Sequence, residues 1–440
     1  MRRLQQRFEG RLVVLGVHSA KFPAERETEA ILRATEKHGI EHPIVNDRDF
    51  AIWQSYAIRA WPTVVLIDPD GYVVGAQPGE IDADRLGDAI ERLMADSPGL
   101  VPAEAPAPGV QEDATTRGLR FPTRLAASGD RLWVAETGHH RILELTLSDD
   151  ARRATVHRTF GDGRPDLRDG DADFASFHSP HGIALEGDSL LVADTDNHVI
   201  RRIDLDSGRI ETIAGSGQMG HGLVTGWMDP AVVDLRSPWA VALHRGRLFI
   251  AMAGSHQIWC LDQDRLGVWA GNGREALVDG PLDQASFNQP SDLALKGDVL
   301  YVADAEASAV RAIDQAGAAC VRTLVGVGLF DFGDIDGSGD TVRLQHVTGI
   351  ANAEGDRLLL ADSYNHKIKW LDPLTRTVRT LAGSGRPGAE DGSLETASFF
   401  QPEGLALWRG FLLVADTNNH ALRVVDRESG EVWTIEVEGP

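Results

Sequence analysis

The chain has 440 residues, with 43 basic against 66 acidic side chains and a net charge of −23. That balance argues against nucleic acid and anionic membrane as partners, because both are held by Lys and Arg set against phosphate. Apolar residues make up 42% and charged residues 25%, which is globular usage, and no apolar run approaches the ~18 residues of a membrane span.

The first 97 residues hold 12 basic and 16 acidic side chains, so most of the negative charge lies beyond them. The basic start, Met1 to Gly10, is interrupted by Gln5, Gln6, Arg7 and Glu9 where a signal peptide would have its apolar core. This places the chain in the cytoplasm. Leu12–Val17 reads as a short strand. Pro23–His38 reads as a helix with Ala30, Ile31 and Ala34 on one side, and 49–56 as a second short helix. Two apolar runs, Thr63–Ile67 and Tyr72–Gly75, flank Asp68-Pro-Asp-Gly71, a strong turn signal for a hairpin. A last helix through Met94 has Asp82 or Asp84 as its cap. Strand and helix alternating in this way is α/β material. Residues 98–109 then contain four prolines and two glycines, so 98–116 is predicted to be an extended linker.

Beyond the linker one segment recurs six times. Leu191-Val-Ala-Asp-Thr-Asp-Asn-His-Val-Ile200 is typical, and its alanine falls at 135, 193, 251, 303, 361 and 415. Before it comes a Pro-x-Gly-Ile-Ala-Leu strand, as at 180–185 and 402–407. After it come an Arg-x-Ile-Asp strand, as at 201–204, and a strand ending Thr-x-Ala-Gly, as at 212–215. Four short strands, separated by Gly-rich turns and repeated six times, predict a six-bladed β-propeller over 117–440. Each blade must cover its neighbour's apolar face, since none can bury its own. Six complete blades can be read in series, so the strand that closes the ring is not evident from chain order.

The Ala-Asp-Thr-x-Asn-His-x-Ile-Arg unit resembles the NHL repeat. Gly16-Val-His-Ser-Ala-Lys-Phe22, His42-Pro-Ile-Val-Asn-Asp47 and Trp61-Pro-Thr63 resemble the thioredoxin-like domain that one NHL-containing family carries ahead of its propeller. The resemblance implies a partial thioredoxin-like domain over 1–97, with Pro62 at the cis-proline position. It also implies a cysteine motif on a helix preceding the Leu12–Val17 strand. Met1–Phe8 reads as the tail of that helix, so the first strands and the CxxC are expected to be missing. The Leu12–Val17 strand would then lack hydrogen-bonding neighbours. No cysteine lies in 1–97, so this part cannot perform dithiol exchange as written. If the true start lies upstream, a thiol–disulfide oxidoreductase is the alternative; otherwise the domain is degenerate.

Six copies also sort the chemistry. The recurring Asp194, Asp304, Asp362, Asp416 and Glu136, and the recurring His140, His198, His256, His366 and His420, are expected to cap backbone N–H groups at strand-end turns. Departures from the repeat are more informative. At the start of the innermost strands Arg124, His181, Trp239, Asp292 and Glu403 replace repeated residues and form a mixed polar ring at one mouth of the channel. Arg124 in blade 1 and Asp292 in blade 4 would face each other across the axis. This ring is the candidate partner- or ligand-binding site, with solvated channel lining as the plain reading. A metal held by His178, His181 and His346 would suit a propeller lyase or hydrolase, but no ligand set or nucleophile motif is recognisable, so no catalytic residue and no cofactor is assigned. Cys260 and Cys320 read as packed or edge thiols. The acidic run 331–340 lacks the register of a calcium loop and reads as a long loop. The expected function is a thiol-redox-associated interaction protein, its propeller the platform for a protein partner, with no nucleic acid or membrane partner and an oligomeric state left open.

Overall fold

The computed structural model describes residues 1–79, 83–95, 118–222, 224, 226–315 and 319–439. The predicted linker 98–116 and the Asp82 cap lie outside them. The chain divides into two compact units, Met1–Thr116 and Arg117–Pro440.

In the first unit a helix, Arg2–Arg7, brings Leu4 and Phe8 against Ile90 of the helix Ala83–Ala95. The predicted first helix is split into a 3-10 turn, Pro23–Arg26, and an α-helix, Thr28–Lys37. The second short helix covers Ala51–Ser55. The hairpin pairs Thr63–Ile67 with Val73–Pro78. Its turn is held by Asp68, whose carbonyl accepts from Gly71 N–H and whose carboxylate accepts from Tyr72 N–H; Gly71 sits at φ 89°, where a side chain would be strained. The Leu12–Val17 prediction needs correction. Only Gly16–His18 is in a ladder, and that strand does have a neighbour, lying parallel to Ile44–Asn46 with Val17 opposite Val45. Val13, Leu15, Val17 and Val45 remain exposed.

The second unit is a six-bladed β-propeller. Blade 1 runs from Pro122 to Phe160, blade 2 from Pro180 to Ala214, blade 3 from Pro238 to Ala270 and blade 4 from Pro290 to Val325. Blades 5 and 6 run from Val347 to Ala382 and from Leu405 to Thr434. Each is an antiparallel meander of four strands in sequence order. The second strand of each blade explains the continuous apolar runs in the sequence. In blade 2, Leu190 and Val192 pack toward blade 1 while Leu191 and Ala193 pack toward blade 3. Side chains alternate between two faces of a strand, so a strand covered on both faces must be apolar throughout.

Ring closure comes from a segment that follows the last blade. Glu436–Glu438 lies parallel to Arg153–Thr155 as a fifth, outermost strand of blade 1. Trp408 and Trp433 of blade 6 donate their indole N–H groups to the carbonyls of Gly129 and Ala151 in blade 1, at 2.8 and 3.2 Å. In blades 3 to 6 the outermost position is instead taken by two residues preceding the blade, such as Trp227–Met228 and Gly392–Ser393. The acidic run 331–340 is one of these segments. Gly337–Ser338 pairs with Thr377–Val378, and Asp334 and Asp336 point into blade 5.

Candidate functional site at the propeller axis

The repeat itself builds a lattice around the axis. In five of the six blades the second strand ends in an acid that accepts a backbone N–H. His178, Asn288, Gln345 and Phe400 donate to Asp194, Asp304, Asp362 and Asp416 at 2.6–2.7 Å, and Arg120 donates to Glu136 at 2.8 Å. The other carboxylate oxygen meets a cation on the third strand: Arg201, Arg311 and Arg423 at 2.8, 3.1 and 2.9 Å, or Lys369 at 3.2 Å. These cations have no solvent exposure. Each reaches a second acid outside the blade, Asp169, Asp279, Asp391 or the pair Asp334 and Asp336. Burial pushes the carboxyls of Asp194, Asp304 and Asp416 up to about 6, against the opposing pull of their guanidiniums. The capping was expected. The buried cation seven residues after each acid was missed, although Asp194, Asp304, Asp362 and Asp416 all show that spacing. Blade 3 has Met252 and Trp259 at these positions and lacks the pair.

The repeated histidines cap across blades rather than within one. Nδ1 of His140, His198, His256, His366 and His420 accepts the backbone N–H of Ser179, Ser237, Gln289, Gln401 and Phe121, each in the next blade round the ring, at 3.0–3.3 Å. Ser308 Oγ serves His346 in the same way at 3.0 Å. Donor and acceptor residues alike adopt left-handed φ between 48° and 58°. Burial lowers the pKa of His140 and His366 to about 4, which keeps Nδ1 free to accept.

Inside this lattice the structure places the ring residues in two groups. The Arg124 side chain is buried on the axis. It donates to the carbonyl oxygens of Thr123, Ser291 and Thr348 at 3.0, 2.9 and 2.7 Å. Its Nε lies 3.4 Å from Asp292 and its Nη1 3.7 Å from Glu403. Asp292 also accepts the N–H groups of Leu293 and Ile350, both at 2.9 Å. Burial raises its pKa, with Arg124 the largest opposing influence. One guanidinium therefore ties blades 1, 4, 5 and 6. The second group is His181 and Trp239, stacked at 5.0 Å and 11° on blades 2 and 3; His181 is buried and Trp239 half-buried. Glycine explains where charge can stand. A Cβ on Gly349 or Gly404 would overlap the carbonyl oxygen of Glu403 or Thr123 in the next blade. The equivalent positions in blades 1 and 4 carry Arg124 and Asp292.

The three histidines weighed as metal ligands have separate neighbours. His178 lies 3.9 Å from Asp196, His181 stacks on Trp239, and His346 stacks on Tyr364 at 4.1 Å and lies 3.2 Å from Glu306. Among the described residues no three His, Cys, Asp or Glu side chains form a group suited to a metal ion. Cys260 is buried, which pushes its thiol up to about 12, and Cys320 is exposed and free. The Trp61–Pro62 bond is cis. No helix among the described residues is long and apolar enough to cross a membrane.

Comparison with known proteins adds three findings. The NHL repeat family matches residues 399–425. Protein SUPPRESSOR OF QUENCHING 1, chloroplastic, of Arabidopsis thaliana is 38% identical over 97% of this chain and 42% of its own length. Human NHL repeat-containing protein 2 is 36% identical over 97% of this chain and 63% of its own length. The chain thus spans between two-fifths and two-thirds of these relatives. Among solved structures, a chain of a nidogen/laminin complex aligns at 17% identity and a TM-score of 0.46, covering 70% of this chain and 94% of that one.

Proposed function

We propose, from the premise that the chain belongs to the NHL-repeat family of NHL repeat-containing protein 2, that its propeller is a platform for a protein partner and that the partner docks at the axial mouth around Trp239. The observation that carries this reading is the division of the ring. Arg124, Asp292 and Glu403 spend their charges on one another and on backbone carbonyls, so they offer no free nucleophile or base. The half-buried Trp239 on its His181 support keeps a large amphipathic surface at the mouth, the type of side chain that anchors interfaces.

In this reading the N-terminal unit is a thioredoxin-like companion without dithiol chemistry, because residues 1–97 contain no cysteine. The linker and the cytoplasmic setting belong to the same proposal. The test is affinity capture from a native lysate with the intact chain and with Trp239→Ala. The variant is expected to lose its specific partners by about tenfold or more, the scale of an interface hot spot. It should keep the blade 2–3 packing, read from unchanged hydrogen exchange there. Undiminished capture by Trp239→Ala rejects the mouth as the docking site.

A further inference from the structure

The junction between blades 1 and 2 has a buried carboxylate at its centre. A row of three cross-strand residues on each blade faces the next blade. In blades 3, 4 and 6 the middle member is Cys260, Ala312 or Val424, and in blade 2 it is Arg202, whose side chain is 40% exposed. In blade 1 the row is Trp133, Glu144 and Arg158, with a carboxylate in the middle. Glu144 is 8% exposed and is matched by Arg131 at 3.2 Å. Trp133 is 6% exposed, and its indole N–H has no acceptor among the described residues. The indoles of Trp408 and Trp433, at the junction of blades 6 and 1, are both satisfied by carbonyls. A buried donor left without an acceptor costs about 1–3 kcal/mol, so Trp133 marks a place where an acceptor is wanted.

The same row walls a cleft of about 720 Å³, and a second hollow of about 610 Å³ shares His157 and Arg158 as lining. Cavities of that size suit small molecules. Charge is segregated across the cleft. From blade 1, Arg131 is paired with Glu144, and Arg158 crosses the cleft to donate to the Leu205 carbonyl of blade 2 at 2.8 Å, which leaves its remaining N–H groups at the blade 1 side. The facing hairpins of blade 2 contribute Asp188 and Asp206 and no cation. A lone anion would satisfy one wall and be repelled by the other, and an apolar molecule would strand both.

We propose that this cleft binds a small zwitterion of amino-acid size, its carboxylate toward Arg158 and the Trp133 indole and its ammonium toward Asp188 and Asp206. The site is separate from the axial mouth and independent of the partner reading.

The experiment follows the ten tryptophan indole N–H resonances of the intact chain, with that of Trp133 assigned by Trp133→Phe. The probes are L-alanine, L-glutamine and L-arginine, and the two halves of a zwitterion, acetate and methylammonium. A saturable shift of the Trp133 resonance with at least one amino acid is expected, at a midpoint in the millimolar range or below. The double variant Asp188→Asn, Asp206→Asn alters only exposed side chains, so it should leave the other indole resonances in place and weaken the response by about fivefold or more. No saturable shift with any amino acid overturns the proposal. So does acetate alone reproducing the shift at the same midpoint, or an unchanged midpoint in the double variant.

Discussion

Arg124 shows how one residue can look functional in the sequence and act as a tie in the structure. Its guanidinium contacts four blades, and two of the groups it faces, Asp292 and Glu403, are buried carboxylates. Removing one partner of a buried pair leaves the other uncompensated, which costs about 3–5 kcal/mol. Arg124→Ala should therefore lower the unfolding free energy by that amount, measured by urea denaturation. Arg202, paired with Glu211 on the exposed outer strands, supplies the contrast. Arg202→Ala should cost about 0.5 kcal/mol or less, as exposed pairs do. Equal costs at the two positions would mean that Arg124 is solvated and not a tie. The buried lattice makes a parallel case. Arg311→Ala strands the fully buried Asp304 and should again cost about 3–5 kcal/mol. Blade 3 has the uncharged Trp259 at the position of Arg311; there Gln257 accepts from the Trp259 indole and donates to Gly271, so Gln257→Ala should cost only about 1–2 kcal/mol for those lost hydrogen bonds.

At the scale of the element, the turn after each second strand is the recurring device, and its histidine makes blade-to-blade contact depend on pH. His140 accepts the N–H of Ser179 only while Nδ1 is unprotonated. Its surroundings are His178, Asp196, His139 and Arg120, and burial brings its pKa from 6.5 to about 4. The folded state thus holds the neutral form over a range in which the unfolded chain binds a proton. The latch contributes fully above pH 6.5, and its contribution falls as pH drops from 6.5 toward 4, by up to about 3 kcal/mol in all. The buried Asp194, Asp304 and Asp416, raised to about 6, titrate with the opposite sign between about pH 4 and 6, so the whole-protein profile mixes the two. A difference measurement isolates the histidine. His140→Ser copies the arrangement that Ser308 provides in blade 4 and cannot titrate. The stability of the original chain relative to His140→Ser should decline between pH 6.5 and 4; a flat difference means that His140 is already protonated in the fold. These turns were legible because the copies align the alanine, the acid after it and the histidine that follows. The reach of each histidine into the next blade was not, since nothing in one repeat says which N–H stands opposite it. The buried Arg201, Arg311 and Arg423 were visible only as members of an Arg-x-Ile-Asp strand. Their pairing with an acid seven residues earlier becomes apparent once the register sets Asp194 opposite Val199 and Val192 opposite Arg201. The axial ring positions were likewise legible as departures from the repeat, but the Arg124 clamp depends on how closely the inner strands approach, which glycine positions such as Gly349 and Gly404 control.

For the molecule as a whole, the decisive feature is that the ring closes late in the chain. Blades 2 to 5 are joined to both neighbours by continuous chain, whereas the junction of blades 6 and 1 brings together residues about 280–300 apart. Closing so long a loop carries an entropy cost that local hairpins escape. The contacts at this junction are correspondingly specific. Trp433 packs in a core shared by blades 6 and 1, donates to Ala151, and lies under Arg152 at 4.6 Å; Thr417 donates to Pro122, and Glu436–Glu438 completes blade 1. Trp433→Ala should cost about 3–5 kcal/mol as a large-to-small core change, and Phe249→Ala in blade 3 should cost a similar amount. Their consequences should differ in location. Losing Trp433 weakens the one seam that chain connectivity does not hold, so native-state hydrogen exchange should rise first in 153–155 and 431–438, well below the global unfolding free energy. Losing Phe249, in a junction held by continuous chain, should lower the exchange free energy of the whole propeller together. If Trp433→Ala instead lowers protection uniformly across six blades, the ring opens only by global unfolding and the trailing strand is no separate closure.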